Sequence, residues 1–271
     1  MIHTLQGQQA RALLPLFANP HHAIAVSCLE GRTACRVFAD EADHPSAALV
    51  VLERFGIGFA AGQAQAAEAL LGSLHGWHRW YEIIDPPPDW YPALAAWSKK
   101  SHATVRYAME ADAALPMETL RRLATPPEGC ALRPYDEALL QDALAEPWSE
   151  DQMGVFLTVD DFMARGMSVA LTRDGALLAG CVGFLRHKDG YEIQIDTHPD
   201  HRGKGYATCV GAAFLLEMAA RGMKPYWDAA NPASFRLAEK LGFRFQRAYP
   251  AWLLIEPNEP ADDVAKRVIG P

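Results

Sequence analysis

Glu192, Gln194 and Asp196 stand at every second position of one short segment, and Arg202-Gly203-Lys204-Gly205 follows a few residues later. In an extended chain this spacing puts the three polar side chains on one face and Tyr191, Ile193, Ile195 and Thr197 on the other. Pro199 has no N–H to donate and ends the strand. Gly203 and Gly205 allow a sharp turn and a close approach of ligand to backbone. A helix from about Gly205 to Ala220 then starts with its free N–H groups aimed at that ligand, and Arg202 and Lys204 stand beside them. Such an end binds phosphate or pyrophosphate. A row of carboxylates running into a phosphate cradle points to an enzyme with a phosphorylated cofactor.

A glycine loop alone is weak, and two better-known patterns fail. A P-loop needs Gly at position 198, which is His, and Ser or Thr after Lys204, which is Gly205. The dinucleotide fingerprint fails at its third glycine, which is Thr208. The bland alternative is a glycine turn with two solvated cations. The following segment argues against it. Lys224 to Asn231 reads as a strand ending in a polar turn, with Asn231 as helix N-cap and Pro232 at the first helical position. Ser234, Leu237, Ala238 and Leu241 share one helical face, and Gly242 ends the helix. Phe243 to Tyr249 and Ala251 to Ile255 read as two closing strands separated by Pro250.

On these residues the chain resembles the GNAT superfamily of N-acetyltransferases. Arg202-Gly-Lys-Gly205-Tyr-Ala207 is similar to its Gln/Arg-x-x-Gly-x-Gly/Ala acetyl-CoA loop, and Asn231-x-x-Ser234 with Lys240-Leu-Gly-Phe243 to its second cofactor motif. Glu192 to Thr197, Trp227 to Asn231 and Leu237 to Gly242 also resemble a subgroup that includes the zwittermicin A resistance acetyltransferase. The resemblance is strong over about residues 130–255 and weaker before that. It implies an α/β (α+β) fold with a central mixed, mostly antiparallel sheet flanked by helices. It implies acetyl-CoA as cofactor, held by Thr197, His198, Arg202, Gly203, Lys204, Gly205, Tyr206, Ala207, Asn231 and Ser234. It also implies direct acetyl transfer, in a ternary complex, to a primary amine of a small molecule such as an antibiotic or metabolite. The rivals are a non-catalytic acyl-CoA sensor and a protein or peptide acetyltransferase.

Transfer to an amine requires that the amine lose a proton, that a donor meet the thioester oxygen, and that the reactants be held together. By the resemblance the motif strand's backbone supplies the donor near Asp196 to His198, and Glu192 is the first choice for the base. Asp196 is the second choice, or binds the substrate ammonium. Asp228 caps the helix or lines the amine site. Many family members carry a tyrosine seven residues after the motif Asn, as acid for the leaving thiolate. Here that position is Ala238, which leaves Tyr206, Tyr226 and Tyr249 as candidates, or no acid at all.

His75-x-x-His78 and His198-x-x-His201 have metal-compatible spacing, but two ligands make no stable site, so no metal is expected. Trp77, Trp80, Tyr81, Trp90, Tyr91 and Trp97 fill a core or, through cation–π contacts, line a substrate site; core is the favoured reading. Half of the 271 residues are hydrophobic, and the net charge is −8. That balance disfavours a nucleic-acid partner and suits a cationic amine. Five cysteines without a Cys-x-x-Cys pair fit reduced thiols. No signal peptide and no apolar run long enough for a membrane span are seen. The expectation is a cytoplasmic protein, monomer or homodimer.

Thr125-Pro-Pro-Glu-Gly129 is the best linker candidate. It divides the chain into an N-terminal α/β domain over 1–127, an acetyltransferase domain over 128–256 and a poorly packed tail over 257–271. The second domain is expected as β-α-α-β-β-β-α-β-α-β-β. The first reads β-β-β-α-β-α-β, as in the later half of the second. It is either a degenerate acetyltransferase half or an unrelated α/β cap. Its Phe59-Ala-Ala-Gly62 lacks the basic glycine loop, so no cofactor is expected there.

Overall fold

The computed structural model describes residues 1–19, 22–111 and 115–260. The expected tail therefore lies outside the described residues from 261 onward. The elements in chain order are β1 (His3–Leu5), α1 (Gly7–Arg11), α2 (Ala23–Leu29), β2 (Cys35–Ala39), β3 (Ala47–Leu52), β4 (Ile57–Gly62), α3 (Ala67–Gly72), β5 (Trp80–Ile84), α4 (Tyr91–Ala96) and β6 (His102–Ala111). There follow α5 (Met117–Leu123), β7 (Ala131–Arg133), α6 (Glu137–Ala145), α7 (Val159–Arg165), β8 (Ser168–Arg173), β9 (Ala176–Arg186), β10 (Gly190–Thr197), α8 (Tyr206–Ala220), β11 (Lys224–Ala229), α9 (Pro232–Lys240) and β12 (Phe243–Ile255). They form two compact units, Met1–Arg106 with Ala248–Pro271, and Tyr107–Arg247.

In the first unit β1, β2, β3 and β4 form an antiparallel ladder, β5 joins β4 in parallel, and Ala251–Ile255 of β12 lies antiparallel to β5. Every residue of β3 is buried, as in a strand covered on both faces. Leu49, Val51, Leu70, Leu71, Tyr81, Ile83 and Trp90 share one core. The aromatic cluster is mainly core: Trp90 and Tyr81 are fully buried, Trp90 Nε1 donates to the Gly62 carbonyl at 3.0 Å, and the Tyr81 hydroxyl donates to that of Leu74. Burying the polar ends is tolerable because each has a partner.

The second unit repeats this order. β7, β8, β9 and β10 form an antiparallel ladder, β11 joins β10 in parallel, and Tyr107–Met109 of β6 lies antiparallel to β11. In each unit a helix links the two parallel strands, α3 in the first and α8 in the second, and the sixth strand comes from the other half of the sequence. α8 is the long central helix. Val210, Phe214 and Met218 pack on Tyr191 and Leu171, and Ala212 and Leu215 pack on Leu120 and Leu241. On the opposite face Tyr135, Leu139, Leu140, Phe156 and Phe162 pack against Ala170 and Val182.

One expectation is corrected. Residues 243–255 are a single strand, with no break at Pro250. The proline lacks an N–H, but its carbonyl accepts from the Asp85 amide at 3.0 Å, and its fixed φ suits extended backbone. The order of the second half is thus β-α-α-β-β-β-α-β-α-β. The other expected strands and helices of residues 35–255 are present within a few residues of their expected bounds. No helix among the described residues is long and apolar enough to cross a membrane.

Candidate active site

The site is built where β10 and β11 part. Their ladder runs from Gly190 opposite Lys224 to Glu192 opposite Tyr226, whereas β10 continues to Thr197 and β11 to Ala229. Gly190 is required at the root, because a Cβ there would lie 1.8 Å from the Lys224 carbonyl oxygen. Beyond Glu192 the strands diverge, leaving one edge of β10 without a ladder partner among the described residues. The His198 amide donates to the Leu178 carbonyl of β9 at 3.0 Å. Alternation therefore turns the amides of Ile195 and Thr197 toward the open edge. The Thr197 hydroxyl is buried without a hydrogen-bond partner among the described residues.

β10 then runs through a 3-10 turn at Pro199–His201 into the glycine loop. Gly203 and Gly205 have φ of 76° and 80°, the left-handed region that suits glycine, and a Cβ at either would meet nothing within 4 Å. Gly205 caps α8, whose first amides have no intrahelical acceptor. Arg202, Gly203, Lys204 and Gly205 are exposed. Lys204 Nζ donates to the Asp200 carbonyl at 3.1 Å and lies 3.1 Å from His201 Nδ1. Arg173, the last residue of β8, reaches the Tyr206 hydroxyl at 3.5 Å and the Cys130 sulfur at 3.3 Å. Open space, free amides and cations together fit the diphosphate of a coenzyme A thioester.

On the far side of the split, Asn231 Oδ1 accepts from the Ser234 amide at 2.9 Å, which is the expected N-cap of α9. The Ser234 hydroxyl accepts from Trp227 Nε1 at 3.1 Å. Asp228 lies on β11 opposite Ala108.

The carboxylates share one face of β10 with Gln194. Asp196 Oδ2 accepts from Gln152 Nε2 at 2.6 Å and from Gln194 Nε2 at 3.1 Å. Burial pushes its carboxyl above the ordinary range, while the two amides and Arg202 pull it back. Glu192 Oε2 stands 3.5 Å from His187 Nε2, and the His187 ring lies 4.2 Å from that of Tyr226. Trp148, from the segment after α6, meets the His198 ring edge-on at 5.3 Å.

The tyrosine candidates for a thiolate acid separate here. Burial, and the 2.6 Å bond to Asp189, push the Tyr226 hydroxyl up to about 12. That is far from the ordinary thiol value near ~8.5, so it is a poor proton donor to a thiolate. Tyr206 is the first residue of α8 and is buried, and Tyr249 belongs to the first unit. Ala238 is fully buried, in the same core cluster as Leu241 and Trp227.

Gln152, Tyr135, His187, Trp148 and Arg173 were not anticipated. Only the folded chain brings them to β10 and its loop. Of the histidine pairs, His75 stacks on Trp97 at 4.4 Å, and His198 Nδ1 accepts from the Asp200 amide at 3.2 Å.

The sequence model of the GNAT acetyltransferases matches residues 14–252. The structure of a GCN5-related N-acetyltransferase-like protein from Streptococcus suis 89/1591 superposes with a TM-score of 0.81 at 30% identity, over 90% of this chain and 98% of that one. A GCN5-related N-acetyltransferase from Sphaerobacter thermophilus shares the fold, with a TM-score of 0.60 at 13% identity over 96% and 98% of the two chains. A tandem GNAT protein from the clavulanic acid biosynthesis pathway does so at 0.52 and 13%, over 96% and 99%. The uncharacterized N-acetyltransferase YdfB of Bacillus subtilis strain 168 is 28% identical over 127 residues, which are 45% of this chain. The match spans about half of that relative, 48% of its length.

Proposed function

The chain belongs to the GNAT acetyltransferase family, and on that premise we propose that it is an acetyl-CoA-dependent N-acetyltransferase acting on a primary amine of a small molecule. The observation that carries this reading is the divergence of β10 from β11. It opens a backbone edge between a row of carboxylates and a basic glycine cradle.

Acetyl-CoA, when bound, supplies the acetyl thioester. The residues proposed to hold it are Thr197, His198, Arg202 to Ala207, Asn231 and Ser234. The amides at the start of α8, with Arg202 and Lys204, neutralise the diphosphate. The open-edge amides of Ile195 and Thr197 are preorganised donors for a carbonyl oxygen on which charge builds. Glu192 takes the proton that the amine must lose, and Asp196, held by two amides, anchors the ammonium form. Holding both reactants in one cleft removes much of the entropic barrier to direct transfer in a ternary complex. A departing thiolate needs no dedicated acid, since it is a fair leaving group near neutral pH.

The −8 net charge and the carboxylate row favour a cationic acceptor. The motif strand further supports membership of the subgroup that includes the zwittermicin A resistance acetyltransferase. The first unit, with the same strand order but Gly62-Gln63-Ala64 in place of the basic loop, is read as a degenerate acetyltransferase half. Thiol release from acetyl-CoA over a panel of small amines, aminoglycosides and peptides tests the proposal. Release with small amines supports it, release with peptides alone gives a peptide acetyltransferase, and none at all gives the sensor.

A further inference from the structure

Asp196 is held by a buried chain of side chains that begins far away in sequence. The Tyr135 hydroxyl donates to Gln152 Oε1 at 3.0 Å, and Gln152 Nε2 donates to Asp196 Oδ2 at 2.6 Å. Gln152 is fully buried and Tyr135 nearly so. Gly180 faces Asp196 across the β9–β10 ladder. A Cβ at Gly180 would lie 2.1 Å from the Tyr135 hydroxyl and 2.2 Å from Gln152 Oε1, so this glycine makes the space the chain of bonds occupies. The backbone behind Gln152 is fixed as well. The Ser149 hydroxyl donates to the Ala143 carbonyl at 2.8 Å, and the Gln152 amide donates to the Ser149 carbonyl at 3.0 Å.

A carboxamide has one end that donates and one that accepts. With its oxygen engaged by a phenol, Gln152 can offer Asp196 only N–H, and an N–H bonds a carboxylate better than a carboxylic acid. With the amide turned over, its oxygen would face Asp196 and favour the protonated acid. We propose that Tyr135 and Gln152 are positioning residues for Asp196: the Tyr135 hydroxyl fixes the Gln152 carboxamide so that Asp196 is kept as an oriented, ionised carboxylate. The anchoring of an acceptor amine by that carboxylate rests on the function proposed above; the positioning itself does not.

The charged and titratable groups whose fields meet Asp196 are Arg202 from the glycine loop, Tyr135 before α6 and the buried Cys181 thiol of β9. Arg202 favours the carboxylate. Burial opposes it, and the two amide donors act with Arg202 against that burial.

The test is the titration of Asp196 in the free protein, by ¹³C NMR of carboxyl-labelled aspartate, with the Asp196→Asn spectrum giving the assignment. Tyr135→Phe keeps the ring and removes the hydroxyl. The Asp196 midpoint is then expected to rise by about one pH unit, the equivalent of one hydrogen bond and a tenfold change in ionisation. Gln152→Leu should raise it further. An unmoved midpoint in both folded variants overturns the proposal, since a packing role would lower stability without moving the titration. If Gln152→Leu does not fold, Tyr135→Phe alone decides. Acetyl transfer by Asp196→Asn is scored separately: normal turnover there removes the anchoring role of Asp196 and leaves the titration result standing.

Discussion

Gly205→Glu is the sharpest perturbation of the proposed cofactor cradle. Gly205 has φ 80° and ψ 7°, and a side chain added there points into open space. Any L residue costs roughly 1–2 kcal/mol for the left-handed backbone. That cost is borne by the loop and is common to Gly205→Gln and Gly205→Glu. The glutamate adds charge where the diphosphate would lie. One charge at about 5 Å from roughly two negative charges, at an effective dielectric of about 40–80, is repelled by about 2–3 kcal/mol. Acetyl-CoA affinity should therefore fall about 30–150-fold further in Gly205→Glu than in Gly205→Gln. Calorimetric titration of both variants, with circular dichroism to show that each is folded, measures the gap. The gap should narrow as salt is raised. Equal affinities in the two variants would refute a diphosphate at this loop.

Glu192→Gln should reduce turnover by about 10²–10⁴-fold with little change in acetyl-CoA affinity, and the acidic limb of the pH–rate profile should shift or vanish; near-normal turnover would pass the proton to Asp196 or to no side chain. Gly180→Ala should cost about 2–4 kcal/mol in a urea melt, from overpacking against Tyr135 and Gln152 plus a lost hydrogen bond, and an unchanged midpoint would contradict the tight fit at that residue. The bond to Lys224, then that to Tyr226, hold Asp189 down to about 2, below its unfolded value near 3.8. Its contribution is thus complete above about pH 4 and lost as pH falls toward about 2. Because the pair is exposed, the loss is small and screened by salt; the acid sensitivity of the melt between those pH values should shrink in Asp189→Asn.

Much of the backbone around the proposed cofactor loop was legible because its signals are local. The alternation of 191–197, the stop at Pro199, the two glycines and the cap at Asn231 each act within a few residues, and the folded backbone has them. Pro250 misled because a missing N–H matters only where the ladder needs it, and here the strand uses the proline's carbonyl. Ala23–Leu29 escaped notice as a helix: it is apolar nearly all round and has no side-chain cap, so neither periodicity nor a start signal marks it. The support of Asp196 was invisible for a different reason. Gln152 stands 44 positions from Asp196 and 17 from Tyr135, and only tertiary packing joins them. His187 is near Glu192 in sequence, but a lone histidine in a turn carries no signal until the strand turns Glu192 toward it.

Single-turnover chemistry offers the most direct test of direct acetyl transfer to an amine. The protein is mixed with acetyl-CoA, with and without the acceptor found by thiol release, quenched over milliseconds to seconds, and both protein and small molecules are weighed by mass spectrometry. The expected result is acetylated amine formed in step with free CoA thiol, with the protein never gaining an acetyl group. An acetylated protein that forms first and passes its group on, or thiol release without an N-acetylated product, would contradict it.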